Sequence, residues 1–325
     1  MTLTDKELKS LFHGALSVEQ DDEGYLIPHR LTERQRKFYE YREKTHIRAC
    51  ATPNVRLAFK TDADNFSIDY RITCGIKCFF DLFVDGALVW HCGDVLEGGG
   101  KGTFHFDLPE GTHDVVLYLP FLSRASLSNL TVPDGATVTP LPWRPTMLLL
   151  GDSITQGAVA SYPSNTYANR LPDMLGFDAV NQAVSGEIFR PDMIDGEIGF
   201  SPKIVTVAYG TNDFAKCESA DEVAKNATEY YRRLRATFPE ARVFCILPIW
   251  RAGHEPPRAA GTFSSVRQIV RTAAEAVGAT VIDTLNFVPH LPEFFYDQRL
   301  HPNDLGFLHY ASALYCAILP HVKEL

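Results

Sequence analysis

The sequence predicts two folded parts of different class. Residues 1–142 form an antiparallel β-sandwich, and residues 143–325 form an α/β domain whose three layers, α/β/α, enclose a mainly parallel sheet. Three observations lead there. Short β-rich runs at close spacing fill the first part. Strand and helix patterns alternate in the second. A proline-rich stretch, 133–145, divides them.

In the first part the runs 55–60, 66–72, 78–84, 87–91, 103–108 and 114–119 are rich in β-branched and aromatic residues. Turn signals separate them: Asp62-Ala63-Asp64-Asn65, Asp85-Gly86, residues 97–100 and Pro109-Glu110-Gly111. Asp85-Gly86, between Phe83-Val84 and Ala87-Leu88, is a two-residue hairpin signal. One helix interrupts the strands, with Thr32 as N-cap and residues 33–42 following. The three prolines within 140–145 are expected outside any ladder or helix interior, which puts the domain crossing there.

In the second part the apolar run 147–150 ends abruptly in Gly151-Asp152-Ser153. Further strands are expected at 179–181, 204–208, 242–247 and 279–282. Ser219 and Glu222 form a capping box for a helix whose apolar face is Val223, Ala227, Tyr230, Leu234 and Phe238. Val266, Ile269, Val270, Ala273 and Val277 face one way on another helix, stopped by Gly278. In such a fold the loops at the carboxyl ends of the strands gather on one edge, where ligands bind.

A serine on a tight glycine turn between a strand and a helix is placed as a nucleophile. Partners follow it at later strand ends: Ser185-Gly186 after 179–181, Gly210-Thr211-Asn212-Asp213 after 204–208, and His301-Pro302-Asn303 in a late loop. A serine hydroxyl needs a base near neutral pKa, and histidine supplies one. The oxyanion formed on attack needs fixed donors.

With Ser153 in GDSIT, Gly186 in NQAVSG, Asn212 in GTND and His301 in HPND, the sequence resembles the SGNH, or GDSL, hydrolase superfamily over roughly its carboxyl-terminal half. The resemblance implies the flavodoxin-like form of the α/β/α fold. It also implies Ser153 as nucleophile, His301 as base, and an oxyanion hole made of the Ser153 and Gly186 amides and the Asn212 side chain. Family members usually place an aspartate three residues before the histidine. Here that position is Gln298 and the carboxylate, Asp297, is four before. Either Asp297 orients the ring from a loop one residue longer, or a main-chain carbonyl does, as in some carbohydrate esterases of the superfamily.

The first part resembles the jelly-roll-like domain that precedes some bacterial SGNH esterases. Phe79-Phe80-Asp81-Leu82-Phe83 stands where that domain has Gly-x-Asp-Leu-Tyr, and Leu119-Pro120-Phe121-Leu122 where it has Leu-Pro-Leu-Tyr. The match is partial, and Phe79, Phe83 and Phe121 are expected to be core. Asp81 is either a structural carboxylate or one that orients a loop.

Trp250 and Arg251 are candidate substrate contacts, since an indole stacks on a sugar face and a guanidinium forks to hydroxyls. Tyr209 is wall or core, His254 is a solvated loop residue or lines the entrance, and His309 packs or is exposed. Asp152 and Asp213 are expected to hold turns. Seven scattered cysteines demand no disulfide. The spacing of Cys74, Cys78, His91 and Cys92 fits no closed zinc site, so buried thiols are expected and no metal or cofactor.

The net charge of −9 and the absence of a concentrated basic tract argue against nucleic acid as a partner. The first 22 residues lack an apolar signal-like core, and no segment approaches the ~20 apolar residues that span a bilayer, so a cytoplasmic location without a membrane partner is expected. The sequence leaves a homo-oligomer open. The expected activity is hydrolysis of short acyl esters, acetyl groups on a carbohydrate above all. The alternatives are a thioesterase or lipase of the same superfamily, or an inactive carbohydrate-binding protein.

Overall fold

Asp85 and Gly86 both take positive φ, +49° and +80°, as the right-handed twist of a two-residue hairpin requires. They join Phe80–Val84 to Ala87–Cys92 with Val84 opposite Ala87. This hairpin belongs to the first of two units in a computed structural model that describes residues 1–75, 78–93 and 99–324. The first unit is Met1–Arg144 with the short segment Tyr162–Ser164, and the second is Pro145–Ser161 with Asn165–Leu325.

The first unit contains two antiparallel sheets. One runs in the order Phe12–His13, Arg56–Thr61, His113–Tyr118, Phe80–Val84, Ala87–Cys92. The other runs Ser17–Gln20, Leu26–His29, Ser123–Thr131, Asn65–Gly75, Gly100–Asp107. Leu57, Phe59, Leu82 and Leu117 of the first meet Leu26, Phe66, Ile68 and Leu127 of the second in one core, each burial contributing about 1.5–3 kcal/mol. The six expected runs all carry strands, with ends shifted by a few residues. Residues 97 and 98 of the expected turn lie outside the described residues.

Two expectations about this unit need correction. The helix capped by Thr32 covers only Glu33–Phe38, with Gln35 completing a capping box; after a 3₁₀ turn, Arg42 is extended and a second helix, Glu43–Cys50, begins. Pro140 does enter a ladder: Val138–Pro140 pairs with Arg56–Thr61, Pro140 standing opposite Phe59. It is the last residue of a short edge strand, where a missing N–H is tolerated.

Asp81 is fully buried, its Oδ1 accepting from His91 Nδ1 at 2.7 Å and its Oδ2 from the Ser164 N–H at 2.8 Å. The His91 ring stacks on Tyr162 at 3.9 Å. Phe121 is buried, whereas Phe79 and Phe83 are half-buried and pack against His91 and Tyr118.

The second unit is built on five parallel strands in the order Asp178–Asn181, Thr146–Gly151, Ile204–Ala208, Arg242–Ile246, Thr280–Ile282. Buried on both faces, they read as continuous apolar runs. The helices pack in two pairs, Tyr167–Leu175 with Asp304–Ile318 and Ala220–Thr237 with Phe263–Glu275. Strand order reverses at Thr146–Gly151, so the crevice at the carboxyl ends of this strand and Ile204–Ala208 is the topological switch point. Ser153 and Asn212 follow those two strands. Ser219 Oγ caps Ala220–Thr237 as expected, accepting from the Glu222 N–H at 3.1 Å, but the Glu222 carboxylate accepts from Glu218 N instead of closing the box.

Candidate active site

The turn that carries Ser153 depends on close approach. A Cβ on Gly151 would stand 2.7 Å from Thr155 Cβ and 3.0 Å from the Ala208 carbonyl oxygen, so any side chain there would push the strand end off the helix that follows. Asp152 caps that helix, Ser153–Gln156, its Oδ1 accepting from the Ile154 N–H at 3.0 Å. As the first residue of the helix, Ser153 has an N–H that the helical ladder does not use.

Ser153 Oγ lies 2.8 Å from His301 Nε2, and His301 Nδ1 lies 2.8 Å from Asp297 Oδ2. The imidazole therefore faces a carboxylate on Nδ1. The other Asp297 oxygen accepts main-chain N–H groups from Arg299 at 3.0 Å, Leu300 at 2.7 Å and His301 at 3.1 Å. Gln298, at φ +55°, takes up the additional residue in the loop, so a four-residue spacing still brings carboxylate and ring together. Burial works against the charge on Asp297, but the hydrogen bonds from His301 and the loop amides outweigh it and hold the carboxyl well below the usual range. Downstream, Asn303 caps Asp304–Ile318 and fixes where the loop ends.

Asn212 lies in the first turn of Thr211–Lys216, and its Nδ2 donates to Asp152 Oδ2 at 3.1 Å. An amide nitrogen has two hydrogens, so one is left after this bond. Burial pushes Asp152 up to about 6, against the pull of the Ile154 N–H, His301, Lys216 and Asn212. Gly186 has φ +88°, the left-handed region that favours glycine. Its carbonyl accepts from Lys216 Nζ, which ties it to the helix of Asn212, while Gln156 Oε1 accepts from both the N–H and the hydroxyl of Ser185 at 2.7 and 2.8 Å. Lys216 and Gln156 were not legible as site residues. The only signal was their position, in or next to a motif block.

Asp213 is fully buried. Its Oδ1 accepts from the Phe189 N–H at 3.0 Å, and burial pushes it up to about 7. Tyr209 is buried against Phe189 and Tyr230. Trp250 is half-buried and stacks on His290 at 5.0 Å. Arg251 is buried, donating through Nη1 to the carbonyl and hydroxyl of Thr211 at 2.9 and 3.0 Å. His254 Nδ1 lies 2.6 Å from the Arg251 carbonyl oxygen, and His309 is exposed, its ring edge-on to Phe294.

Among the described residues no group of three or more His, Cys, Asp or Glu side chains is placed to hold a metal ion, and no cysteine is joined in a disulfide. No described helix is long and apolar enough to cross a membrane.

A strand-end serine, a histidine bearing on it and a carboxylate behind the histidine make an arrangement able to perform acyl transfer. Comparison with solved structures gives likenesses along nearly the whole chain. The salicylyl-acyltransferase SsfX3 from a tetracycline biosynthetic pathway is 21% identical at a TM-score of 0.86, covering 99% of this chain and 97% of its own. A family two carbohydrate esterase from Cellvibrio japonicus is 16% identical at 0.70, covering 98% and 97%. The acetyl xylan esterase Est2A from the rumen bacterium Butyrivibrio proteoclasticus is 13% identical at 0.61, covering 83% and 89%. At these identities the likeness is one of fold. No curated protein matches the sequence. Residues 149–307, which span all four motif loops, match the GDSL-like lipase/acylhydrolase family, so the chain carries a domain of that family.

Proposed function

We propose that the protein is a serine esterase that removes short acyl groups, acetyl above all, from a carbohydrate. The observation that carries this reading is the hydrogen-bonded line Ser153 Oγ, His301 Nε2, His301 Nδ1, Asp297 Oδ2, with 2.8 Å at both links. The family supports an ester hydrolase. The fold likeness to carbohydrate and acetyl xylan esterases supports the sugar and the acetyl group.

In this reading Ser153 Oγ attacks the ester carbonyl carbon as its proton passes to His301 Nε2. The carbonyl electron pair moves onto oxygen, which accepts from the Ser153 and Gly186 N–H groups and from the remaining Asn212 Nδ2 hydrogen. Collapse breaks the bond to the alcohol oxygen, and His301 protonates the departing alkoxide. Water then attacks the acyl-enzyme with His301 as base, and the acid leaves as the proton returns to Ser153. Asp297 keeps the imidazole oriented and stabilises its cation. Trp250 and Arg251 contact the substrate, and no cofactor takes part. The amino-terminal unit is read as a jelly-roll-like sandwich accessory domain over 1–142, supported by two antiparallel sheets on one core, with the catalytic domain over 143–325.

Ser153→Ala should abolish p-nitrophenyl acetate hydrolysis, and near-wild-type activity in that variant would remove the mechanism. Acetate released from a panel of acetylated sugars would identify the alcohol. A chain-length series separates the thioesterase or lipase alternative, which predicts octanoate ahead of acetate. Failure of a fluorophosphonate to label Ser153 would favour an inactive binding protein. The likeness to a salicylyl-acyltransferase supports a second reading, in which an alcohol in place of water resolves the acyl-enzyme. Acyl product formed with added alcohols, measured against free acid, decides between them.

A further inference from the structure

Arg251 is a buried cation that no carboxylate of the described residues pairs with directly. It is 4% exposed, its Nη1 is held by neutral oxygens of Thr211, and its Nε has no hydrogen-bond partner. Thr211 precedes Asn212, so the guanidinium is anchored next to the oxyanion donor of the esterase reading. Two more arginines stand beside it. The guanidinium carbons of Arg251 and Arg258 lie over the same Phe214 ring, 5.6 and 5.2 Å from its centroid. The Ala252 N–H donates to the Arg299 carbonyl at 2.9 Å, which aligns the Arg251 loop with the loop of His301.

The carboxylates of this neighbourhood are engaged elsewhere. Asp297 accepts from His301 and three loop amides, and Asp152 from Ile154 and Asn212. Glu255 is exposed, with His254 Nδ1 at 3.7 Å. Burial, and then the charges of Arg258 and Arg299, push Arg251 below the usual arginine range, with Asp152 and Asp297 pulling the other way. A guanidinium stays charged in a protein, so burying one without a counter-charge is costly unless a ligand supplies it. In a chain with a net charge of −9, three arginines gather at one strand-end crevice, and among the described residues no carboxylate is paired to them.

We infer that the substrate carries a carboxylate, which Arg251, Arg258 and Arg299 recognise while its ester lies on Ser153. This rests on the esterase reading and narrows its substrate class to anionic esters. The carboxylate belongs either to the acyl part, as in a half-ester of a dicarboxylic acid, or to the alcohol part, as in an acylated uronic acid.

Two matched pairs of esters test it: 4-nitrophenyl hemisuccinate against its methyl ester, and an acetylated glucuronic acid against its methyl ester. In one pair the anionic member should have a kcat/KM at least ten times that of the neutral one, mostly through KM. The ratio should fall with added salt. It should fall severalfold in Arg258→Gln and Arg299→Gln, both exposed positions whose replacement leaves the core untouched. The pair that responds identifies which part of the ester bears the charge. Ratios at or below one in both pairs, or ratios unmoved by the two substitutions, overturn the inference while leaving an esterase in place. If no ester is cleaved, the esterase reading fails on its own, and calorimetric titration of Ser153→Ala decides the anion site separately. Benzoate should bind at least tenfold tighter than benzamide and lose that margin in Ser153→Ala carrying Arg258→Gln; equal binding overturns the inference.

Discussion

Asp297 and His301 are joined twice, by Oδ2 to the ring Nδ1 at 2.8 Å and by Oδ1 from the His301 main-chain N–H at 3.1 Å. The carboxylate thus sets both the ring and the backbone that carries it. Asp297→Asn should lower kcat on p-nitrophenyl acetate by about 10³- to 10⁴-fold with KM little changed, because the neutral amide favours the wrong tautomer. A loss of tenfold or less would show that the carboxylate does not support the base.

Gln298 holds the loop in the left-handed region at φ +55°. Glycine adopts that conformation freely and a β-branched residue does not. Gln298→Val should therefore lower Tm by the equivalent of about 1–2 kcal/mol and reduce kcat, whereas Gln298→Gly should keep kcat within about twofold. Equal kcat values for the two variants would detach loop conformation from the base.

Asn212 divides its amide hydrogens between Asp152 and the place assigned to the oxyanion. Asn212→Ala should reduce kcat by about 10²- to 10³-fold, with KM little altered, since the second hydrogen acts only when charge develops on oxygen. A variant changed in KM alone would make the residue a ground-state contact.

Asp213 makes stability depend on pH. Burial raises it to about 7 in the folded chain, against about 3.9 when unfolded. A raised folded value means that the folded state holds the proton longer. The stabilisation is complete below about pH 4 and disappears as pH rises through 7. Asp213→Asn keeps an oxygen for the Phe189 N–H and cannot ionise. Its Tm relative to wild type should climb between pH 5 and pH 8, as followed by thermal unfolding, and a constant difference would show that Asp213 does not titrate there.

The parts legible in the sequence were those where one residue type answers one local demand. Asp85-Gly86 announced its hairpin because few other pairs take two positive φ angles. Ser153, Asn212 and His301 were found because each sits in a short block at a strand end or a helix start. Ser123–Thr131 was missed, although it is a central strand. Ser123, Ser126 and Ser128 are buried in it, and its small polar side chains do not read as an apolar run. The break at Arg42 and the diversion of Glu222 to Glu218 turn on single hydrogen bonds and dihedral angles that no pattern encodes. Arg251 drew attention as a sugar contact. Its burial without a counter-charge arises from loops far apart in the chain.

The grip of Asp297 on the amides of Arg299, Leu300 and His301 makes residues 297–301 a self-bracing cassette. If this loop swings, acid and base travel as one body, and the hydrogen bond that stretches first is the one to Ser153. The position of the loop thus sets the distance from base to nucleophile without altering the pair that drives it.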